Sequence, residues 1–508
     1  MGAAVLTLPR LDFTLVAGQR FGGVRVWAYF MTKRILLDIS TLARATGHAD
    51  GIVRTLRELA RFAAANRPEV RFVYYDLEVD TPRMIDAKWV RSIIDGVAKI
   101  DMSYFPDRFA KKQRFRERLP KPLKRLFLWM QRPRRQAYLK LEALQLKGSR
   151  LGPWAARVQR LLLNEKCRRE LTMPDGRLRR LVPHELAIQS PPKMTKDDTL
   201  IFAGADWAAT YQQLTLPDSQ DNPRVAVLCY DIIPLLFPHF FPEQLTKAFS
   251  TCFREVFPRA DLVVFTAKQI IADAETYCAS EGLELKKSGL VYLGSDFHVQ
   301  YRIGSERLPD GLVPGRYALF IGTIEPRKGH RLLFEVWKRL LADGIPQQND
   351  FKLVFVGRKG WLVDELVDEI DAHESAGVSL FRLSNVDDAT LQQIYAQAAF
   401  CLFPSLYEGF GLPVIEAFRY GKAVISSNKG ALLETVGGFS PCLDPLDDGA
   451  WYEMMKIWIE DPAARSGFEE AIRSNFKPRS WKDVAANFFD LIDRELIASA
   501  KLTSSAKI

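Results

Sequence analysis

The chain lacks the cysteine and histidine spacings that hold structural metals. Its six cysteines are scattered over 508 residues without a C-x-x-C pair, and its six histidines show no ligand spacing with each other or with cysteine. Scattered cysteines are typical of a reducing compartment. We therefore expect no structural zinc site, and we interpret each histidine as a surface or loop residue.

Long apolar runs are also missing. No window of 18 or more residues is both apolar and uncharged, so no membrane-spanning helix is expected. The apolar stretch near the N-terminus is interrupted by Asp12, and no small-residue cleavage site follows a proper apolar core, so we do not interpret it as a signal peptide. These observations predict a cytoplasmic protein.

Positive charge is concentrated in one segment. Residues 108–180 contain 23 Lys and Arg but 5 Asp and Glu, a net charge of +18, whereas the whole chain carries +10. Basic residues are interleaved there with Phe, Leu and Trp, which fits a surface that lies against anionic lipid headgroups on the inner face of the cytoplasmic membrane. A solvated helical insertion is an equal alternative. Nucleic-acid binding is a weaker third one, because charge alone supports it poorly, and we expect no nucleic-acid partner.

Strand-like runs alternate with helical patterns, which is typical of α/β layers built on parallel sheets. The helical patterns include an amphipathic helix at 51–65 and a last one at Trp481–Leu496. Strands are predicted in two series, at 34–39, 71–76, 199–203, 225–230, 262–266 and 289–293, then at 317–322, 351–356, 378–382, 399–403 and 422–426. Two doubly wound halves in succession predict a cleft between them, with the ligand at the carboxyl ends of the strands.

The same alternation predicts the domain organisation, with a Pro- and Gly-rich linker at 302–316. We predict an extension over residues 1–32, an N-terminal Rossmann-like domain over 33–301 with a basic helical insertion at about 105–185, a C-terminal Rossmann-like domain over 315–478, and a helix and tail over 479–508.

The most informative motif places two carboxylates eight positions apart, at Glu408 and Glu416. An apolar run precedes Glu408 and reads as a buried strand, and a helical pattern follows Pro413, so Glu416 is expected about one turn into a helix. Proline suits the first helical positions, and the intervening glycines let main-chain amides approach a ligand. A helix start with free amides is an anion site suited to a diphosphate. The residues assigned to this turn are Gly409, Phe410, Gly411 and Leu412.

A second motif follows the strand predicted at 317–322. The chain there reads Gly322-Thr323-Ile324-Glu325-Pro326-Arg327-Lys328. A glycine turn followed by Arg and Lys at a helix start is suited to bind phosphate, with Lys328 as a point charge and Arg327 as a fork-shaped donor. An ordinary basic turn is the alternative when this motif is taken alone.

These residues resemble glycosyltransferase family 4, whose members have the GT-B fold, retain the anomeric configuration and carry an E-x7-E signature like Glu408–Glu416. The resemblance is strong over roughly 315–450, moderate over 34–60 and 199–300, and absent in the basic segment. It is closest to bacterial mannosyl- and rhamnosyltransferases of surface-polysaccharide assembly. The matching stretches are Gly322–Lys328, Phe355–Trp361, Pro404–Glu408 and Ser426–Glu434, and more loosely Cys229–Pro234 and Thr266.

The resemblance implies a role for each matching position. Lys328 would neutralise the diphosphate of a nucleotide-sugar as it leaves, Glu408 would face the hydroxyls of the donor sugar, and Glu416 would bind the ribose. The amides of Phe410–Leu412 would cap the diphosphate, and Gly51 would approach it from the other wall. Tyr230 and Asp231 would lie on the acceptor side.

Two positions depart from the family pattern. The arginine often found five residues before the phosphate lysine is Thr323 here, and the histidine that many members carry before the Asp-Ile-Pro-type segment is Tyr230. For the first departure two alternatives stay open: Arg327 compensates, or the hydroxyl of Thr323 is sufficient at the donor site. An Asp-x-Asp triplet, which metal-dependent sugar transferases of the other common architecture use, is absent from the chain. We therefore expect no cofactor and no metal.

The sequence therefore predicts a retaining, metal-independent glycosyltransferase that moves a hexose from a nucleoside-diphosphate sugar to a glycan or lipid-linked oligosaccharide. A catalytically inactive GT-B binding or scaffold protein stays open as an alternative, because of Thr323 and Tyr230. A nucleic-acid-binding protein acting through the basic segment is the third.

Overall fold

The computed structural model of the protein describes residues 20–21, 24–25, 34–44, 51–76, 81–101, 141, 158, 179–183, 187–189, 192, 194–214, 222–297, 308–375 and 379–498. Most of the basic segment at 108–180 lies outside these residues, and so does part of the linker predicted at 302–316. The lipid, insertion and nucleic-acid hypotheses for the basic segment therefore stay predictions.

The strands of the described residues form two large sheets and two small ones. In chain order they are β1 Arg20–Phe21, β2 Val24–Arg25, β3 Ile35–Asp38, β4 Val70–Asp76, β5 Thr81–Met84, β6 Ala98–Asp101, β7 Arg180–Pro183, β8 Thr199–Phe202, β9 Arg224–Cys229, β10 Leu262–Phe265, β11 Ser288–Leu290, β12 Tyr317–Ile321, β13 Lys352–Val356, β14 Leu380–Leu383, β15 Phe400–Phe403, β16 Val424–Ser427 and β17 Cys442–Leu443.

Helices pack between and over these strands. In chain order they are α1 Ser40–Arg44, α2 Gly51–Asn66, α3 Ala87–Ile94, α4 Trp207–Leu214, α5 Ile233–Leu236, α6 Glu243–Arg259, α7 Lys268–Glu281, α8 His330–Ala342, α9 Ile345–Gln348, α10 Asp364–Ser375, α11 Asp388–Gln397, α12 Leu412–Arg419, α13 Leu432–Val436, α14 Asp448–Glu460, α15 Ser466–Asn475 and α16 Trp481–Ile492. Short 3₁₀ turns lie at Pro238–Phe240, Pro326–Lys328 and Pro462–Arg465, and a π-helical turn at Asp493–Ala498 follows α16.

The first large sheet has seven strands in the order β11-β10-β9-β8-β3-β4-β5, and we call it with its helices the N-terminal lobe. All its neighbours are parallel except β4 and β5. Strands β3, β8 and β10 are buried along their whole length, as expected where helices cover both faces of a parallel sheet. The antiparallel edge strand β5 was not predicted.

The second large sheet has six parallel strands in the order β14-β13-β12-β15-β16-β17 and defines the C-terminal lobe. Its first strand, β12, lies in the middle, and the strand order reverses between β12 and β15. The two lobes confirm the predicted α/β class, GT-B with two Rossmann-like units. The exact domain boundaries stay predictions.

The hydrophobic core of each lobe is not built only from residues of that lobe. The core of the N-terminal lobe includes Phe410, Ile415 and Ala431 from the C-terminal lobe. The last helix, α16, also returns to pack on the N-terminal lobe, where it contacts α2. The lobes therefore meet directly around the start of α12, which contains the second predicted carboxylate.

The two strands of one small sheet, β6 and β7, lie before the basic segment and at its end in the sequence. β6 ends at Asp101, and β7, which begins at Arg180, pairs with β6 in parallel. Within the described part of the chain, no helix is long and apolar enough to cross a bilayer.

Candidate functional site

The candidate site lies where the strand order of the C-terminal lobe reverses. β12 and β15 are hydrogen-bonded neighbours, and the chain segments that leave their carboxyl ends both reach this point. In open α/β sheets such a reversal creates a crevice that binds ligands. Both predicted motifs therefore meet at one place, Lys328 from the segment after β12 and Glu408 from the segment after β15.

Lys328 is bound directly to the first carboxylate of the E-x7-E motif. Its Nζ lies 2.5 Å from Glu408 Oε1, and the lysine side chain is 14% exposed. Gly322, at the end of β12, lies beside the lysine stem, since a Cβ built there would be 3.9 Å from Lys328 Cδ. The ammonium group is thus held at the edge of the crevice.

Arg327 has more partners than its neighbour. Its guanidinium lies 2.9 Å from Glu325 and 3.0 Å from Glu408, and it donates a hydrogen bond of 3.1 Å to the Tyr407 carbonyl. Burial acts to lower the pKa of Arg327, but the charges of Glu408, Glu325 and Asp231 outweigh it and raise the pKa. The structure therefore places Arg327 as a brace among carboxylates, and its predicted role as a phosphate donor stays a prediction.

The carboxyls of this cluster differ in their titration. Burial acts to raise the pKa of Glu408, but Arg327 and Lys328 outweigh it and lower the pKa to about 2. For Glu325 and for Asp231, burial prevails and raises the pKa. Glu408 is consequently ionised at every physiological pH, with its charge shared between two cations.

The turn between the two carboxylates leads into a helix, as predicted, but the helix begins at Leu412, one residue before Pro413. Gly411 adopts φ 95°, a left-handed conformation that favours glycine, and α12 begins at the next residue with Pro413 in its first turn. Within the described residues, no hydrogen bond takes up the main-chain amides of Phe410, Gly411 and Leu412. The start of α12 therefore presents open donors together with the positive end of a helix dipole.

Glu416 lies one turn into α12 and is almost completely buried. Its Oε1 is paired with Arg54 of α2, from the N-terminal lobe, and its Oε2 accepts a 2.7 Å hydrogen bond from the Tyr395 hydroxyl. Glu416 thus lies at the boundary between the lobes, where it forms an ion pair with Arg54.

The wall opposite the motif is formed by the segment after β9. Gly409 touches this segment so closely that a Cβ would lie 2.4 Å from the Tyr230 carbonyl oxygen and 2.6 Å from Asp231 Cβ. A glycine is required there because no larger residue fits between the lobes. The Tyr230 hydroxyl donates a 2.8 Å hydrogen bond to the Ala203 carbonyl, and Asp231 accepts one of 3.1 Å from the Ile233 amide.

A cavity of about 160 Å³ opens between this wall and the C-terminal lobe. Aromatic and apolar side chains of the N-terminal lobe form most of its lining, and Asp231 and Arg327 are its charged members. Its aromatic lining residues are Phe202, Trp207, Tyr230, Phe241, Phe249, Phe253 and Trp361. The lining combines flat apolar faces with a few polar groups, as small-molecule sites do, although its volume is smaller than that of most such sites.

Two further positions, Thr323 and His330, bear on what was expected from the sequence. Thr323 lies at the end of β12, against the loop around Gly360, and it carries no charge that could replace an arginine. The expectation that every histidine is a surface or loop residue is wrong for His330, which is 1% exposed at the start of α8 and packs on Phe320 and Phe355. Burial, reinforced by Lys328, lowers the pKa of His330 to about 3.

Sequence reasoning missed three members of the site: Arg54, Glu325 and Tyr395. Glu325 lies inside a motif that was recognised, but its charge was given no role. Arg54 was interpreted only as part of an amphipathic helix, although it stands one turn after Gly51, a residue assigned to the site. Tyr395 gave no signal, because it lies in the apolar pattern of α11. Among the described residues, no group of three or more His, Cys, Asp or Glu side chains is arranged to hold a metal ion.

Comparison with known proteins adds to this geometry. Residues 313–475 match the family model of glycosyl transferases group 1. The chain is similar to the serotype-specific mannosyltransferase WbdA of Escherichia coli, with 28% identity over 258 residues, which cover 48% of this chain and 31% of that protein.

Two further relatives match shorter stretches. The O-antigen chain mannosyltransferase B of Escherichia coli is 37% identical over 167 residues, 33% of this chain and 43% of that protein. The MMP alpha-(1->4)-mannosyltransferase of Mycolicibacterium hassiacum is 30% identical over 182 residues, 35% of this chain and 42% of that protein. The chain therefore spans less than half the length of these relatives.

Proposed function

The chain contains a group 1 glycosyl transferase domain, and from this premise we propose that it transfers a hexose from a nucleoside-diphosphate sugar to a hydroxyl group of a glycan or lipid-linked oligosaccharide. Mannose is the sugar proposed first, because the relatives described above are mannosyltransferases; a rhamnose-like sugar is the alternative. The observation that carries the proposal is that Lys328 and the open amides of α12 lie at the same edge of the C-terminal lobe.

Each part of the donor has a proposed partner. The diphosphate binds the Lys328 ammonium and the amides of Phe410–Leu412, the ribose hydroxyls bind Glu416, and Glu408 meets the sugar hydroxyls while it keeps Lys328 in place. Electrostatic stabilisation of a leaving group by fixed donors is usually the largest catalytic contribution. The glycosidic oxygen–carbon bond to the diphosphate breaks as charge accumulates on the phosphate beside Lys328.

The acceptor is proposed to enter from the N-terminal lobe, through the aromatic cavity next to Asp231. Its hydroxyl oxygen forms the new bond to the anomeric carbon, and its proton passes to the departing phosphate oxygen, with retention of configuration. This front-face course follows from the resemblance to family 4. The reaction proceeds without a metal in this proposal, because protein donors supply the positive charge.

The decisive experiment measures nucleotide release from GDP-mannose and from the UDP and dTDP sugars, after a thermal-shift screen with GDP, UDP and dTDP to identify the base. We expect one nucleotide to raise the melting temperature and its sugar to be turned over. Lys328→Ala should then lower kcat by about 10²–10³-fold, the loss typical when one leaving-group donor is removed. Lys338→Ala is the matched control, because Lys338 lies exposed on α8 and is paired with Glu335.

Unchanged turnover in Lys328→Ala would refute the phosphate assignment. A protein that binds a nucleotide but never turns over its sugar would instead be an inactive GT-B binding protein. The same assay with EDTA tests the absence of a metal: the rate should stay the same, and activity that EDTA abolishes and a divalent cation restores would contradict the proposal.

A further inference from the structure

Two helices from opposite lobes begin side by side at the site. α2 starts at Gly51 and α12 at Leu412, and a Cβ built on Gly51 would lie 2.9 Å from Leu412 Cδ1. One turn further along each helix, Arg54 and Glu416 form an ion pair. Arg54 therefore meets α12 one helical turn, about 5.4 Å along the axis, after the start of that helix, where the open amides lie.

The surroundings of Arg54 keep it charged and oriented. Its side chain is 18% exposed, and its guanidinium carbon lies 4.8 Å above the ring of Phe297. Burial alone would lower the pKa of Arg54, but Glu416 outweighs this effect and raises it. A planar cation stacked on an aromatic ring and bound to a carboxylate is pre-organised to bind another planar or tetrahedral anion.

The proposed donor site needs a second cation. A nucleoside-diphosphate sugar carries negative charge on both phosphates, and Lys328 supplies one ammonium group. Arg327 is braced by Glu325, Glu408 and the Tyr407 carbonyl, and Thr323, in the same segment, carries no charge. Of these two adjacent cations, Arg327 is thus committed to protein partners, and Lys328 is the one assigned to the diphosphate.

We propose that Arg54 provides this second cation from the N-terminal lobe, as a positioning residue that exchanges Glu416 for the donor diphosphate. The inference rests on the proposed function. When the ribose hydroxyls bind to the oxygens of Glu416, the Arg54 guanidinium moves away from Glu416 and toward the diphosphate at the start of α12. It remains paired with an anion in both states, and donor binding draws the two lobes together through α2.

The alternative is that Arg54 only blocks Glu416 and must leave before the ribose binds. The two possibilities predict opposite signs for Arg54→Ala. A guanidinium that binds the diphosphate strengthens the binding of a nucleoside diphosphate, and it does nothing for a nucleoside without phosphates. A guanidinium that merely competes for Glu416 weakens the binding of both ligands.

The test measures dissociation constants by calorimetry, and by ligand-observed NMR for weak binding, with the best of GDP, UDP and dTDP and with the matching nucleoside. The variants are Arg54→Ala, Arg54→Lys and Lys328→Ala. Arg61→Ala is the matched control, because Arg61 lies on the same helix and pairs with Glu58 and Asp95 within the N-terminal lobe. Melting curves without ligand verify that each variant is folded.

We expect Arg54→Ala to weaken diphosphate binding about tenfold to a hundredfold, as loss of a charge-assisted hydrogen bond does, and to leave nucleoside binding unchanged or tighter. Arg54→Lys should restore part of the loss. Equal weakening of both ligands, no weakening, or tighter binding of the diphosphate would overturn the inference. If Lys328→Ala also had no effect, or if the wild type bound none of the three diphosphates, the proposed function itself would fail.

Discussion

The carboxyl groups of the site have different pKa values because each has a different set of cationic partners. Glu408 is shared by two cations and titrates far below its ordinary range, whereas Glu325 and Asp231, in the same cluster, have raised pKa values because burial prevails. Buried carboxylates with good partners and buried carboxyls with poorer ones often divide the roles in a site between them. The charge of Glu408 is therefore part of the folded structure as well as of the proposed chemistry.

This charge predicts a pH dependence of stability. The folded pKa of Glu408 is about 2, below the ordinary 4.5, so its contribution is fully present above pH 4.5 and is lost as the pH falls toward 2. The contribution at neutral pH is on the order of 3 kcal/mol. Glu408→Gln should be less stable than the wild type at pH 7, and the difference should shrink as the pH falls from 4.5 to 3.

Urea unfolding at a series of pH values measures this difference. Glu335→Gln is the control, since Glu335 is a half-buried acid on α8 whose pairs with Lys338 and Arg331 lie on the helix surface, and it should follow the wild type at every pH. A gap between Glu408→Gln and the wild type that stays constant from pH 7 to pH 3 would show that the carboxylate gains nothing from its two cations.

Whole elements are joined across the lobes by groups at their ends. Helix α7 of the N-terminal lobe has no side-chain cap of its own. Glu434, on α13 of the C-terminal lobe, accepts hydrogen bonds from the amides of Lys268 (2.9 Å) and Gln269 (3.4 Å) and from the Tyr292 hydroxyl (2.5 Å). A carboxylate at the amino end of a helix is stabilised by the unpaired amides and by the helix dipole, so this cap fastens one lobe to the other.

The cap predicts the effect of removing Glu434. Glu434→Ala should lower the free energy of unfolding by about 1 kcal/mol, the usual cost of a lost helix cap, and should speed hydrogen exchange in the first turn of α7. Glu365→Ala is the control, because Glu365 is an exposed acid in the first turn of α10. Slow exchange in α7 that survives in Glu434→Ala would mean that the interlobe cap does not stabilise the helix.

The local pattern of apolar residues was sufficient to predict most of the strands and helices. The apolar runs that became β12, β13 and β15 are buried strands of a parallel sheet, and such runs are recognisable one at a time. The edge strand β5 was missed because Pro82 and its polar neighbours argue against a central strand. Strands β6 and β7 were missed because their paired residues, such as Ala98 and Arg180, are 82 positions apart in the chain and flank the basic segment.

The site was predictable where its residues lie in one motif and not where two lobes meet. The pairing of Lys328 with Glu408 joins two motifs that were both assigned to phosphate and sugar. The pairing of Arg54 with Glu416 spans 362 residues, and the cap at Glu434 spans 166. Neither pairing has a local sequence signal, because each depends on how the lobes face one another.

At the scale of the whole molecule, helix α16 joins the two lobes. α16 follows the C-terminal lobe in the chain but buries its apolar face in the core of the N-terminal lobe. Its start is fixed by the side chain of Ser480, which accepts a hydrogen bond from the Asp483 amide, and its end by the ion pair of Arg67 with Asp493. The chain therefore crosses between the lobes twice, which limits how far they can separate and keeps α2, with Arg54, opposite α12.

This arrangement predicts that α16 is indispensable to a lobe remote from it in sequence. Its buried side chains are Trp481, Val484, Ala485, Phe488, Phe489, Leu491 and Ile492. Burial of a large apolar side chain contributes roughly 1.5–3 kcal/mol, so their sum is comparable with the 5–15 kcal/mol stability of a typical domain. A chain ending at residue 479 should therefore lose the cooperative melting of the N-terminal lobe and expose that lobe to limited proteolysis, whereas a chain ending at residue 498 keeps α16 and should keep that cooperative melting. The shorter chain should retain protease-resistant fragments from 308–479, because the C-terminal lobe has its own core. If the N-terminal lobe instead stayed resistant and melted unchanged without α16, the helix would be a surface appendage, and the closure of the lobes would rest on the remaining contacts between them, which include those of Arg54, Glu434 and Phe410.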